Sequence, residues 1–244
     1  MKQFFHIEER LDDCPIHGKT LFISVGKNSE FLCSSCNDEK VAARDRARSE
    51  AIPKKVEGLP SSMDACVFQN FEEETEKQAN LKSFCENFCE KKNTKLLAVF
   101  SGDIGSGKSH LASACLHMLG GIYLTEFGIS VDWSSADNWN GDYSTQNKLR
   151  MKWTKCQLLV IDEIGRDDRR INDFSLEIIR NIVLERYENN LKTILVTNYR
   201  SAEVSKVFGR AIISRLQERG VFLSFEGIAD YRQKKARRAE NLIL

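Results

Sequence analysis

The sequence predicts an α/β fold in which a parallel sheet is covered by helices on both faces, preceded by a small N-terminal module. Five short apolar runs are separated by segments of helical length, a pattern typical of parallel sheets. These candidate strands are residues 96–101, 121–125, 158–162, 193–197 and 221–225. A glycine-rich loop follows the first run, and cysteine and histidine residues are paired near the N-terminus.

The length, net charge and cysteine content limit the number of domains and the cellular compartment. A chain of 244 residues is one large domain, or one ordinary domain with a small attachment. Its 36 Lys and Arg against 35 Asp and Glu leave a net charge of +1, so any nucleic-acid site must be local. We find no membrane-spanning run and no signal peptide, so the eight cysteines indicate a reducing compartment and a cytoplasmic protein.

The chain divides into an N-terminal module over residues 1–51, a linker over 52–62 and a larger α/β domain over 63–244. The linker holds two of the three prolines. Residues 39–51 are charged and rich in alanine, which favours a solvated helix. The alternative for that helix is that its arginines contact a phosphate backbone.

The glycine-rich loop matches the pattern G-x-x-x-x-G-K-[ST] and predicts an ATP site. Its glycines let successive backbone N–H groups surround phosphates, and the following helix adds its positive end. Lys108 is expected to bridge the β- and γ-phosphates, and the Ser109 hydroxyl to bind Mg²⁺. The predicted nucleotide-binding residues are Gly102, Asp103, Ile104, Gly105, Ser106, Gly107, Lys108, Ser109 and His110.

Polar residues that follow the later strands complete the predicted site. Asp162 is expected to hold Mg²⁺, and Glu163 to orient and deprotonate the attacking water, which favours hydrolysis of ATP to ADP and phosphate. Asn198 either holds that water and senses the γ-phosphate or is a turn residue. Arg215 lies on an apolar helical stretch and either extends along the surface or points into the nucleotide of a neighbouring subunit.

The motifs GDIGSGKSH, LLVIDEIG, ILVTN, SRL and DYR, in this order, resemble the AAA+ helicase loaders of the DnaC type. They are also similar to the IstB-type transposition helpers. The resemblance covers residues 63–233 and implies a five-stranded core with strand order 5-1-4-3-2. It assigns Asn198 to sensor 1 and Arg215 to an arginine finger acting in trans, which implies self-association. It assigns Arg232 to sensor 2, with a surface arginine in a basic tail as the alternative.

The helical lid of many AAA+ proteins is not expected, because the chain stops soon after the fifth strand. In the family the segment between strands 2 and 3 faces single-stranded DNA, and here residues 127–150 are rich in Trp and Asn. Interleaved aromatic and basic side chains can stack on bases and neutralise phosphates. The candidates are Trp133, Trp139, Tyr143, Lys148, Arg150 and Lys152. Core packing plus a solvated face is the alternative.

Cys14 and His17 form a C-x₂-H pair, and Cys33 and Cys36 form a C-x₂-C pair fifteen residues later. Two such pairs bring four N and S ligands to a tetrahedral Zn²⁺ site, which would stabilise a module too small to build its own core. The alternative is four unrelated side chains. The other cysteines are expected to be buried rather than to form a redox pair; they are Cys66, Cys85, Cys89, Cys115 and Cys156.

The resemblance implies a loader that binds a hexameric, DnaB-like replicative helicase and delivers it onto single-stranded DNA, with ATP binding and hydrolysis as a switch. The N-terminal module is expected to dock on the helicase or on an origin-bound protein. Two alternatives stay open. One is a transposition helper that acts on double-stranded DNA with a transposase. The other is a zinc-bearing adaptor that binds ATP only for its structure.

Overall fold

The computed structural model describes residues 7–16, 18–25, 32–33, 35–36, 55–137, 143–165 and 173–233. The chain forms two compact units, Met1–Pro53 and Lys54–Leu244. The helix predicted over 39–51 lies outside the described residues. Among the helices that the structure describes, none is both long and apolar enough to cross a membrane.

The N-terminal unit contains a three-stranded antiparallel sheet in the order β1-β2-β3. Its strands are β1 (Ile7–Cys14), β2 (Gly18–Val25) and β3 (Leu32–Cys33). Cys14 pairs with Gly18 across a tight turn, where Gly18 has φ 65°. The sequence analysis predicted no strands here, although residues 19–25 carry the apolar and β-branched character of a strand.

The larger unit alternates strands and helices as predicted. Its strands are β4 (Val56–Glu57), β5 (Leu97–Ser101), β6 (Gly121–Thr125), β7 (Leu158–Ile164), β8 (Lys192–Thr197) and β9 (Gly220–Ser224). Its α-helices are α1 (Glu76–Cys89), α2 (Lys108–Leu119), α3 (Glu126–Asp137), α4 (Tyr143–Lys155), α5 (Asp173–Glu188) and α6 (Ser201–Arg219).

All neighbouring strands of the second sheet are parallel, in the order β4-β6-β7-β8-β5-β9. Counted from β5, the five main strands have the predicted order 5-1-4-3-2, which confirms the expected core. The sixth strand, β4, pairs with β6 and comes from the segment predicted as a linker. Gly121 pairs directly with Val56 there.

The two faces of the sheet carry separate apolar clusters. On one face Phe100 and Val160 pack with residues of α1 and α2, such as Phe88 and Leu111. On the other face the alternate strand residues pack with residues of α3 to α6, among them Ile129, Trp153, Ile179 and Phe208. Strands buried on both faces explain why the sequence shows continuous apolar runs rather than alternation.

Arg186 of α5 is fully buried and joins three elements at the amino end of the sheet. Its guanidinium donates to the carbonyl oxygens of Trp153, Cys156 and Lys192 at 2.8, 2.9 and 2.6 Å, and to Thr193 Oγ1 at 3.0 Å. Burial lowers the pKa of Arg186. The cation therefore satisfies backbone groups where α4 ends and β8 begins.

Replacing Arg186 should destabilise the larger unit strongly. Arg186→Met keeps most of the apolar stem but leaves buried carbonyl oxygens without donors, which should lower the free energy of unfolding by about 3 kcal/mol. Urea denaturation followed by circular dichroism measures this. Arg210→Met, at an exposed position on α6, is the matched control and should change stability by less than about 0.5 kcal/mol. Equal stability of the two variants would contradict this role of Arg186.

Candidate nucleotide-binding site and cysteine cluster

The glycine-rich loop connects the end of β5 to the first turn of α2. Gly107 precedes the helix with φ 96°, a conformation that L side chains rarely adopt. A Cβ at Gly107 would also lie 2.7 Å from the ring of Phe71. Ser106 Oγ donates to the carbonyl of Asp103 at 2.6 Å, which closes the loop on itself.

Lys108 is buried at the centre of this loop. Its ammonium donates to the carbonyl oxygens of Gly102 and Asp103 at 2.7 and 2.6 Å. Burial lowers the pKa of Lys108, and the negative charges of Asp162 and Asp103 oppose that shift. The loop therefore holds a cation next to the backbone N–H groups that begin α2, which is the arrangement a polyphosphate requires.

Asp162 lies at the carboxyl end of β7 and is almost fully buried. Both oxygens of its carboxylate accept hydrogen bonds: Oδ1 from the backbone N–H of Glu163 at 2.6 Å, and Oδ2 from the hydroxyl of Tyr123 at 2.7 Å. Burial and the nearby carboxylate raise the pKa of Tyr123, so its hydroxyl stays protonated. Carboxylate oxygens at this edge are suitable ligands for Mg²⁺.

Glu163 follows in a turn of unusual backbone geometry. It has φ 59°, and the pairing of β7 with β8 shifts register between Ile161 and Ile164. Such a bulge re-aims a side chain at the end of a strand. Glu126 Oε2 accepts from the N–H of Gly165 at 2.8 Å, and its Oε1 accepts from Ser175 Oγ at 2.6 Å. Glu126 thus holds the turn that carries Glu163.

Asn198 directly follows β8 and is exposed. The preceding residue, Thr197, donates from its hydroxyl to the carbonyl of Ile164 at 2.8 Å. This bond joins the end of β8 to the turn after Glu163. The structure therefore brings Asn198 to the same edge of the sheet as the two acidic residues.

The segment after β9 packs against the phosphate loop. Tyr231 N–H donates to the carbonyl of Gly105 at 3.0 Å, and Gly227 N–H donates to Asp103 Oδ2 at 3.0 Å. A Cβ at Gly105 would lie 1.9 Å from a carboxylate oxygen of Asp230, and the φ of 74° at this position strains any other residue. Arg232 contributes to the lowered pKa of Lys108, which places its positive charge near the loop.

Curated relatives of this chain are replicative helicase loaders, whereas no family model matches it. DnaC of Escherichia coli K12 is 29% identical over 156 residues, which cover 62% of this chain and 63% of DnaC. DnaC of Buchnera aphidicola subsp. Schizaphis graminum is 29% identical over 174 residues, 66% of this chain and 67% of that relative.

Solved structures show the fold. A crystal structure of the DnaC helicase loader gives a TM-score of 0.58 at 22% identity, covering 68% of this chain and 99% of that one. AMPPCP-bound DnaA from Aquifex aeolicus gives 0.57 at 17% identity, covering 75% and 56%. DnaI gives 0.55 at 16% identity, covering 70% and 96%. The larger unit has the AAA+ P-loop ATPase fold.

The chain is similar in sequence to DnaC-type helicase loaders. These matches confirm the resemblance that the order of the motifs indicated. The E. coli alignment leaves more than a third of each chain unmatched.

Two of the predicted site residues, Arg215 and His110, make contacts away from the phosphate loop. Arg215 Nη2 is 4.0 Å from Glu188 Oε1, and its guanidinium lies 6.0 Å from the ring centre of Tyr187. One turn later, Arg219 accepts a backbone bond from Leu96 at the amino end of β5. Arg215 therefore lies toward the edge opposite Asp162. His110 faces the preceding segment, with Nε2 2.9 Å from the carbonyl of Val67.

Much of the aromatic and basic segment is engaged within the unit. Trp133 is half-buried and stacks on the buried Trp153, with ring centres 6.1 Å apart. Arg150 pairs with Glu185, and Lys152 with Glu57, each at 2.7 Å. These contacts favour the alternative of core packing for Trp133. Lys148 is exposed, whereas Trp139 and the side chain of Tyr143 lie outside the described residues.

Three of the four predicted zinc ligands meet in the N-terminal unit. The sulfurs of Cys14, Cys33 and Cys36 lie within 4.8 Å of one another, and Cys14 Sγ is 3.6 Å from Cys36 Sγ. A tetrahedral site with Zn–S bonds of about 2.3 Å separates its sulfurs by about 3.8 Å. Cys36 N–H also points at Cys33 Sγ, at 3.5 Å. The cluster fits a zinc ion; His17 lies outside the described residues.

The neighbouring sulfurs favour the neutral thiol of Cys36 over its thiolate. The hydrogen bond with Cys14 and burial raise the pKa of Cys36 to about 11. A bound metal ion reverses that preference, because it stabilises thiolates. Of the other five cysteines, Cys85, Cys89 and Cys115 are buried as predicted, and Cys66 and Cys156 are partly buried.

Sequence reasoning missed Tyr123 and Glu126, which hold Asp162 and the Glu163 turn. Tyr123 had one detectable signal. A tyrosine within an apolar strand needs a partner for its buried hydroxyl, and the neighbouring strand ends in a carboxylate. Glu126 gave no comparable signal, because an acidic residue in the first turn of a helix is common without any partner.

Proposed function

We propose that this chain is an ATP-driven loader that binds a hexameric, DnaB-like replicative helicase in the cytoplasm and delivers it onto single-stranded DNA at the initiation of replication. The observation that carries the proposal is the pair of buried opposite charges, Lys108 and Asp162, at one edge of an AAA+ sheet. The relationship to DnaC supplies the biological context.

ATP is proposed to bind with its phosphates in the loop from Gly102 to Ser109. The Lys108 ammonium exchanges its two carbonyl partners for phosphate oxygens, and Ser109 and Asp162 hold Mg²⁺. Held by these two side chains, Mg²⁺ would supply positive charge that offsets the negative charge developing on the phosphates. Glu163 orients and deprotonates the attacking water, and Asn198 contacts the water or the γ-phosphate. Arg232 adds a positive charge beside the loop.

Self-association is proposed to complete the site. Arg215 lies too near the opposite edge of the sheet to reach the phosphate loop of its own chain, so it would act on the nucleotide of a neighbouring copy. Its anchoring partners, Glu188 and the ring of Tyr187, leave 35% of its side chain exposed. A finger supplied in trans couples hydrolysis to assembly.

The N-terminal unit is proposed to be a zinc module that docks on the helicase. Cys14, His17, Cys33 and Cys36 are the proposed ligands, and the tight turn at Gly18 supports the first pair. Residues 14–36 contain only two basic residues, Lys19 and Lys27, which favours a protein partner over nucleic acid. Contact with single-stranded DNA is proposed for the segment around Lys148, which is exposed, whereas the half-buried Trp133 packs on Trp153.

The loading proposal is tested with the helicase on closed circles of single-stranded DNA. The unaltered chain should increase helicase bound to the circles at least tenfold when ATP is present, measured by gel filtration of the complex. Lys108→Ala should abolish the increase, since the phosphates lose their cation. Glu163→Gln should retain ATP and helicase but impair release of the loader. Glu177→Gln, at an exposed position on α5, is the matched control.

Two results would contradict the loader. One is no helicase binding in any nucleotide state. The other is assembly on duplex DNA with a transposase and without affinity for the helicase, which is the behaviour of a transposition helper. Normal loading by Glu163→Gln would instead support an adaptor that needs no turnover.

Zinc binding is tested by the metal content of purified protein. The unaltered chain should hold one equivalent of zinc, and Cys33→Ser should lose most of it, because it removes a buried sulfur ligand. The circular dichroism signal of the ATPase unit should persist. Cys66→Ser, in the larger unit, is the matched control and should keep its zinc. A full equivalent of zinc in Cys33→Ser would contradict this ligand set.

A further inference from the structure

We infer that Tyr123 is a positioning residue for Mg²⁺, acting through the carboxylate of Asp162; this inference rests on the proposed ATPase function. The hydroxyl of Tyr123 donates to Asp162 Oδ2 at 2.7 Å, and both side chains are at most 3% exposed. A hydrogen bond to a carboxylate in such a dry environment is stronger than a neutral one in water.

The sheet register explains why these two groups meet. In the parallel pair β6–β7, Tyr123 lies opposite Val160, and Asp162 is two residues further along β7 on the same face. The Tyr123 ring belongs to the apolar cluster that contains Leu158 and Val160. Packing therefore fixes the ring, and the ring directs its hydroxyl at the carboxyl end of the neighbouring strand.

The second oxygen of the carboxylate is held independently. Asp162 Oδ1 accepts the backbone N–H of Glu163 at 2.6 Å. With one donor on each oxygen, the plane of the carboxylate is set before any ion arrives, while each oxygen keeps a lone pair for a metal-bound water. Without the Tyr123 hydroxyl, the Asp162 carboxylate would lose one of these two constraints. It could then turn toward the Lys108 ammonium, whose pKa its negative charge already raises.

The test is a Mg²⁺ titration of ATP binding. Tyr123→Phe removes only the hydroxyl. With fluorescently labelled ATP, the Mg²⁺ concentration at half-saturation should rise about tenfold, as is typical when a group hydrogen-bonded to a metal ligand is removed. Affinity for ATP in excess EDTA should change by less than about twofold, since the phosphate loop is intact. If Tyr123 only stabilised the fold, the Mg²⁺ half-saturation and the ATP affinity in EDTA would change together.

Thr154→Val is the matched control. It also removes a buried hydroxyl, one with no hydrogen-bond partner in the described part of the chain, and its Mg²⁺ requirement should match that of the unaltered protein. An unchanged Mg²⁺ half-saturation for Tyr123→Phe would overturn the inference. Should that variant fail to fold, Tyr123→Met fills similar space without a donor and is read in the same way. Failure of the unaltered chain to bind ATP at all would instead overturn the proposed function.

Discussion

Lys108 and Asp162, which carry opposite charges, are buried at one edge of a parallel sheet. Their burial determines which polar groups must surround the site. Burying an ion without partners costs several kcal/mol, so each must be surrounded by fixed polar groups. Carbonyl oxygens of the phosphate loop surround the ammonium, and Tyr123 with the Glu163 N–H surrounds the carboxylate. These fixed polar groups suit the polyphosphate and Mg²⁺ that we propose as ligands.

The same edge collects the other polar groups because every strand of the larger sheet points one way. Glu163 and Asn198 follow neighbouring parallel strands, and Thr197 joins the two strand ends. Glu126 fixes the turn after Glu163, and the segment after β9 closes over the loop from the other side. Arg215 is directed away from this edge because α6 runs back along the sheet to the start of β5. The arginine finger proposed for Arg215 would therefore act on the nucleotide of a second copy.

The main features of the ATP site could be predicted from sequence because they depend on short patterns with a physical mechanism. The loop from Gly102 to Ser109 and the strand that carries Asp162 lie where these patterns predicted them, although β7 continues to Ile164. The strand order agrees with the order that the resemblance implied. Contacts between elements distant in sequence could not be predicted. The Tyr123–Asp162 hydrogen bond depends on the register between β6 and β7. The packing of Trp133 on Trp153 is a contact between two helices. The strand β4 forms only through its pairing with β6 at the edge of the sheet. The sheet of the N-terminal unit was missed because β1, although eight residues long, is mostly charged and shows no alternation of apolar and polar residues.

A loader that delivers a helicase onto single-stranded DNA is expected to hydrolyse ATP faster when that DNA is present. The most direct measurement is the rate of phosphate release by the purified chain alone, with single-stranded DNA and with duplex DNA, using Glu163→Gln as the inactive reference. We expect the unaltered chain to release phosphate faster than that reference, and the rate to rise further with single-stranded DNA. Stimulation by duplex alone, or ATP binding with no release above the reference under any of these conditions, would contradict it.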